Sequence, residues 1–140
     1  MVAFTSDAAE SLRKETLILV SGDKRHKISI EVAETPQQKA MGLMFRTSLG
    51  RRTGMLFPHS EPQELTMWMR NTYIPLDMVF IRTDGTVHRI EENTEPFSEA
   101  IIASRGKVVA VLELAGGVAR EVGLKAGDRV EGRWFKPAPK

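Results

Sequence analysis

The chain has 140 residues, 41% of them apolar and 27% charged, with a formal charge of +2 and no cysteine. A domain of that length buries roughly two-thirds of its unfolded surface in one core, and this ordinary globular mix argues against a disordered chain or a membrane protein. Without Cys there can be no disulfide, no thiolate catalysis and no Cys-ligated zinc, while the compartment stays open.

The Lys and Arg excess sits in short runs, Lys24-Arg25-His26-Lys27 and Arg51-Arg52, at turn-like positions. These read as solvated surface, so no nucleic-acid partner is expected. No apolar run approaches the roughly 18 residues of a spanning helix. The start, Met1 to Asp7, lacks both the charged and the apolar regions of a signal peptide, and a chain whose leader had been removed would read the same.

Residues 1–15 read as a polar tail with a short helical turn around Ala8 to Arg13, residues 16–135 as one β-rich domain, and residues 136–140 as a C-terminal tail. Leu17–Val20 and Ile28–Val32 are strand-like and flank Ser-Gly-Asp-Lys, and Ile28, Ile30 and Val32 alternate with polar residues, as a half-buried hairpin strand does. Thr35-Pro36-Gln37-Gln38 carries an N-cap, a proline suited to the first helical turn and the Gln of a capping box, with Gly42 placed to end a two-turn helix.

Met55–Phe57 reads as a short strand stopped by Pro58, His59–Gln63 as a loop, and Leu65–Met69 as a further strand with Met67 and Met69 on one face and Trp68 on the other. Leu76–Ile81 is apolar on both faces apart from Asp77, which suggests a central strand. Asp84-Gly85 predicts a two-residue type I′ hairpin returning through Val87–Glu91. Glu95–Gly106 is irregular. Lys107–Leu114 is another apolar strand carrying Glu113 near its end. Gly116-Gly117 leads into a short helix, Val118–Val122, and Arg129–Phe135 forms the last strand. The fold expected is mostly β with two short helices (α+β), a mainly antiparallel sheet closing into a small or partly open barrel.

Met41 to Ile81 holds six of the seven methionines and one of the two tryptophans. Within it Asp77 is the most informative polar residue, because an unpaired carboxylate in that apolar run costs several kcal/mol. Arg46, Arg70, Asn71 and Thr72 are the partners the sequence offers, and the plain reading is that Asp77 pins the Asn71–Pro75 loop. The sharper reading pairs Asp77 with Glu113 as the two catalytic carboxyls of a glycoside-cleaving hydrolase. Met67 and Met69 with His59 raise a copper(I) site, against which Met is a common core filler. His26, His59 and His88 lack zinc-ligand spacing, and neither a serine-hydrolase elbow nor a phosphate loop is present. These absences weigh against an enzyme, and neither a metal nor a cofactor is expected. Gly116-Gly117 could receive an anion on its free amides. Trp68 could floor a ligand groove, though a core tryptophan is the commoner outcome.

Six ordered motifs add to this: Gly-Leu-Met-Phe-Arg-x-Ser-Leu (42–49), Gly-Met-Leu-Phe (54–57), Trp-Met-x-Asn-Thr-x-Ile-Pro-Leu-Asp (68–77), Phe-Ile (80–81), Val-Leu-Glu-Leu-x-x-Gly (111–117) and Gly-Leu-Lys-x-Gly-Asp-x-Val (123–130). Over residues 28–135 the chain resembles the prokaryotic domain of unknown function 192. The resemblance implies a small β-rich domain, an extracytoplasmic or periplasmic location, and Arg46, Trp68, Asn71, Thr72, Asp77 and Glu113 as its signature polar positions. Many relatives carry cysteines in the segment matching Glu95–Gly106, and this chain has none. The expectation is a non-enzymatic accessory domain of the cell envelope that binds a small molecule or peptide around Arg46, Trp68, Asn71, Thr72 and Asp77. The alternatives are the Asp77/Glu113 hydrolase and the Met-lined copper protein.

Overall fold

The computed structural model describes residues 12–137. Residues 8–11 of the expected helical turn lie outside them, and Arg13 to Glu15 already belong to the first strand. Seven strands follow: β1 (Arg13–Ser21), β2 (Lys24–Val32), β3 (Thr53–Met67), β4 (Leu76–Ile81), β5 (Val87–Glu91), β6 (Ile102–Ala115) and β7 (Arg129–Glu131). Two short helices interrupt them, α1 (Pro36–Met41) and α2 (Val118–Val122).

The strands form one sheet in the order β5-β4-β6-β3-β2-β1-β7. All neighbours run antiparallel except β2 and β3, which are parallel because α1 carries the chain across between them. The sheet is therefore mainly antiparallel, as expected, with this one parallel pair. Its outer strands meet: Val87 N–H donates to the Asp128 carbonyl at 2.8 Å, Val130 N–H to the Gly85 carbonyl at 2.8 Å, and Thr86 bridges Arg129. These bonds nearly close the barrel. Gly85 permits the seam, because it has φ of 90° and a Cβ there would lie 2.6 Å from the Val130 carbonyl.

Local signals predict the structure well where they depend on neighbours in sequence. The β1–β2 hairpin turns through Gly22-Asp23. Thr35 caps α1 with both halves of the capping box formed, Gln38 N–H donating to Thr35 Oγ1 at 3.0 Å and Thr35 N–H to Gln38 Oε1 at 3.1 Å. Thr35→Ala is expected to lower stability by about 1 kcal/mol, read as a shift of the urea midpoint at constant slope.

Other local readings change. The Asp84-Gly85 turn is longer than the two-residue form: Gly85 N–H donates to the Arg82 carbonyl and Arg82 N–H to that of Thr86, and Gly85 alone takes positive φ. That is a three-residue loop with a glycine bulge. Pro58 does not end its strand. From Pro58 to Gln63 β3 advances five residues while its partner β6 advances two, so His59–Pro62 bulge out and the two strand-like runs become one. A second irregularity falls on β6, where Arg105 and Gly106 adopt positive φ. As a result β6 starts at Ile102, inside the stretch that reads as irregular.

Alternation along the central strands separates two cores. Val79 and Ile81 of β4, Leu112 and Leu114 of β6, and Leu56 of β3 point into the barrel with Leu17, Leu19, Ile28 and Ile30. Leu76, Met78 and Phe80, with Val111, Met55 and Phe57, point outward and are covered by Leu43 and Met69 from the segments after α1 and β3. Every methionine of this second core lies in the Met-rich stretch, which serves as packing.

Candidate functional site

Asp77 and Glu113 lie on adjacent strands but on opposite faces. Asp77 is opposite Leu114, and Met78 is opposite Glu113. Asp77 therefore shares its face with Val79 and Ile81, inside the barrel, while Glu113 shares its face with Val111, in the outer core. Two carboxyls directed to opposite sides of a sheet cannot flank one glycosidic bond, so the expected catalytic pair does not form.

Asp77 has no exposed surface, and the backbone satisfies it completely. Its Oδ1 accepts from Asn93 N–H at 2.9 Å, its Oδ2 from Ala119 N–H at 2.8 Å, and both oxygens from Gly117 N–H at 3.1 Å. Gly117 is the N-cap of α2 and has no side chain with which to cap. Asp77 supplies that cap from β4. The anion-binding potential of Gly116-Gly117 and the buried carboxylate of Asp77 are thus two halves of one structural contact. None of the side chains expected to pair with Asp77 does so. Arg46 instead makes a bidentate pair with Glu31 at 2.6 and 3.1 Å. Asn71 is exposed at φ of 53°, its carbonyl accepting from Phe45 N–H, and Thr72 is buried with its hydroxyl on the Arg70 carbonyl.

Glu113 is the opposite case. It is 4% exposed, and its carboxyl receives no hydrogen bond from the described residues. Its direct cross-strand neighbours are Met55 on β3 and Met78 on β4, both fully buried. Burial pushes its pKa from 4.5 up to about 8, so the acid is protonated at neutral pH. It lies at the base of a half-open cleft of about 120 Å³. Lys39 and Gly42 of the α1 end, Met67, Trp68, Arg70 and Thr72 form the walls.

The cleft's aromatic wall departs from expectation. Trp68 follows the last residue of β3 and is 39% exposed, with the Arg70 guanidinium 5.3 Å from its ring centroid, so it is not a core residue. Met67 is half-buried, whereas Met69 is sealed in the outer core with its sulfur accepting from Thr94 Oγ1 at 3.1 Å. His59 lines a separate hollow with Lys39, Gln63 and Trp134. The thioethers and the imidazole therefore do not converge, and the copper arrangement is absent from the described residues.

Lys39 is half-buried and makes no ion pair among the described residues, and desolvation lowers its pKa. In the sequence it reads as an ordinary helix residue. The rim beyond is apolar: the large hydrophobic side chains exposed among the described residues are Met41, Phe45, Trp68, Tyr73, Phe97 and Ile101. They come from three neighbouring segments, joined where Phe45 N–H donates to the Asn71 carbonyl and Phe97 N–H to that of Thr72. Tyr73 meets Phe45 edge to face with 6.1 Å between centroids and Phe97 in a tilted contact at 5.3 Å. Phe45 and Phe97 hold positive φ, a strained state for a bulky residue.

A nearly closed small barrel, with a covered outer face and an acid-floored cleft in that cover, defines the class of protein. The chain belongs to the uncharacterised DUF192 family, described as "Uncharacterized ACR", whose model matches residues 17–132. Among curated proteins no relative is found. Several solved structures are similar, among them two crystal structures of bacterial proteins. One, from Sinorhizobium meliloti 1021, is described as a candidate transcription regulator; it is 44% identical, with 89% of this chain and 98% of that chain covered and a TM-score of 0.87. The other is a protein of unknown function from Novosphingobium aromaticivorans DSM 12444, 38% identical, with 93% and 100% covered and a TM-score of 0.81.

Proposed function

We propose that the protein is a non-enzymatic binding domain that takes a small ligand in the cleft between α1 and Trp68. The observation that carries this reading is Glu113, a buried carboxyl directed into an open cleft with no protein partner among the described residues. Among the described residues no fully buried side-chain oxygen lacks a partner, so the Glu113 carboxyl meets the cleft's solvent rather than the protein. A mostly buried acid open on that one side, beside an exposed Trp and a Lys unpaired among the described residues, is placed to meet something that arrives. Of the residues the sequence marks, Trp68, Thr72 and Glu113 belong to this site. Arg46 and Asp77 are occupied elsewhere. The exposed aromatic rim extends the binding face.

We place the domain in the cell envelope on the strength of the family resemblance, and cell fractionation with a tagged full-length protein tests this. The regulatory role named for the Sinorhizobium protein is not carried over. Neither helix among the described residues exceeds six residues, too short to read a groove as a recognition helix does. Nine of the twelve arginines are paired with carboxylates.

A fragment library screened by ligand-observed NMR tests the binding reading. Hits are expected to shift the Trp68 indole resonance, to weaken at least tenfold in Trp68→Ala and Glu113→Leu, and to persist in Arg46→Ala. Hits that survive both cleft variants contradict it.

A further inference from the structure

We infer that the ligand is a small organic acid whose carboxylate enters the cleft, where Glu113 donates a hydrogen bond to it and Lys39 and Arg70 supply the countercharge. The inference rests on the cleft being the binding site and names what that site selects. Three titratable side chains line the cleft: Lys39 from α1, Arg70 from the segment after β3, and Glu113 from β6. The other elements packed around Glu113 present Met55 and Met78 across the sheet and Phe57, Leu43 and Thr72 nearby, none of them charged. With Glu113 protonated, the lining carries two cations and no anion.

Both cations are available. Lys39 has no carboxylate within ion-pair distance among the described residues. Arg70 makes a long, exposed contact of 3.8 Å with Glu99 and no side-chain hydrogen bond among the described residues. An incoming carboxylate therefore meets the half-buried Lys39, the exposed Arg70 at the cleft's edge, and a third donor, the Glu113 O–H, that has no protein acceptor among the described residues. An ammonium would meet two like charges at the entrance before reaching a neutral acid. Selection by sign follows from the lining alone. The volume of about 120 Å³ limits the ligand to a small molecule, and the exposed Trp68 face favours one with a flat or apolar body.

Protonation gives the inference its signature. If only the protonated cleft holds the anion, affinity falls as pH rises through the Glu113 pKa, by about tenfold between pH 6 and pH 9 for a group titrating near 8. The test titrates the full-length protein with benzoate, benzamide and benzylamine at pH 6 and pH 9, following the Trp68 indole by NMR. The expected result is benzoate binding at pH 6 that weakens about tenfold by pH 9. In Glu113→Gln, which keeps a donor but does not ionise, that pH profile flattens, and Lys39→Met weakens benzoate at least fivefold at pH 6. Binding of benzylamine or benzamide without benzoate overturns the carboxylate assignment and leaves the cleft reading standing. Benzoate affinity that is flat or rising with pH also overturns it. Failure of all three probes to move Trp68 overturns it as well, and the library screen then decides the cleft reading separately.

Discussion

Asp77→Ala is expected to lose about 3–5 kcal/mol of unfolding free energy, the summed cost of leaving several buried amide donors without an acceptor. The deletion leaves the Asn93, Gly117 and Ala119 amides without an acceptor in a site closed to solvent, and it removes the side chain that caps α2. Asp77→Asn keeps the shape but turns an amide NH₂ toward backbone donors, and is expected to lose about 2 kcal/mol or more. Urea unfolding followed by circular dichroism measures both. At a urea concentration where each variant is still folded, benzoate binding should be retained, since Asp77 faces the barrel interior and the cleft lies on the other side of the sheet. A variant that keeps its stability but loses binding would return Asp77 to the site.

The second large effect is on the pH dependence of stability, and it comes from Glu113. Its pKa is 4.5 in an ordinary setting and about 8 in the folded protein. Below about 4.5 the group is protonated in both states and carries no penalty. Between about 4.5 and 8 the unfolded chain releases the proton while the folded protein holds it, so stability falls with rising pH, by on the order of 1 kcal/mol per pH unit and several kcal/mol in total. Above about 8 both states are ionised and this contribution is fully lost. Glu113→Gln should flatten that slope and be the more stable protein at pH 8, despite removing a residue of the proposed site. Urea midpoints of the two proteins at pH 5, 6.5 and 8 give the comparison. Parallel curves would mean that Glu113 titrates normally. Gain of stability on replacing a site residue is a common mark of function, because binding sites hold groups the fold alone would not keep.

Much of the fold is legible in the chain because its signals are local. Thr35, Pro36 and Gln38 specify the start of α1 within four residues, and Gly22-Asp23 joins two alternating strands. Signals mislead where a partner distant in sequence decides. Pro58 and Pro62 lack the N–H a ladder needs and read as strand breaks, yet Pro58 keeps its place opposite Ala110 and a bulge opposite β6 absorbs Pro62. Trp68 reads as a strand residue because Leu65–Met69 alternates, but β3 stops at Met67 and turns the indole outward.

The site is half legible for the same reason. Asp77 and Glu113 look alike in sequence, each a carboxylate in an apolar run. Alternation assigns each a face on its own strand, with Val79 and Ile81 for one and with Val111 for the other. Only the register between β4 and β6 shows that the faces oppose. Nor could the chain reveal that the free amides after Gly116 and the buried Asp77 find each other across 40 residues. The carboxylate held by the backbone draws attention because motifs surround it, and the one that meets the cleft is where the chemistry is open. Lys39 carries no signal at all, since an unpaired lysine is visible only once its neighbours are in place.

The central claim is that Glu113 is a protonated acid facing an open cleft, and its side-chain carboxyl ¹³C resonance reports this directly. Titrated by NMR in the full-length protein from pH 4 to pH 10, it should move with a midpoint near 8, and saturating benzoate should raise that midpoint further, because the protonated form is the one that binds. A midpoint in the ordinary carboxylate range, unmoved by benzoate, would contradict the claim.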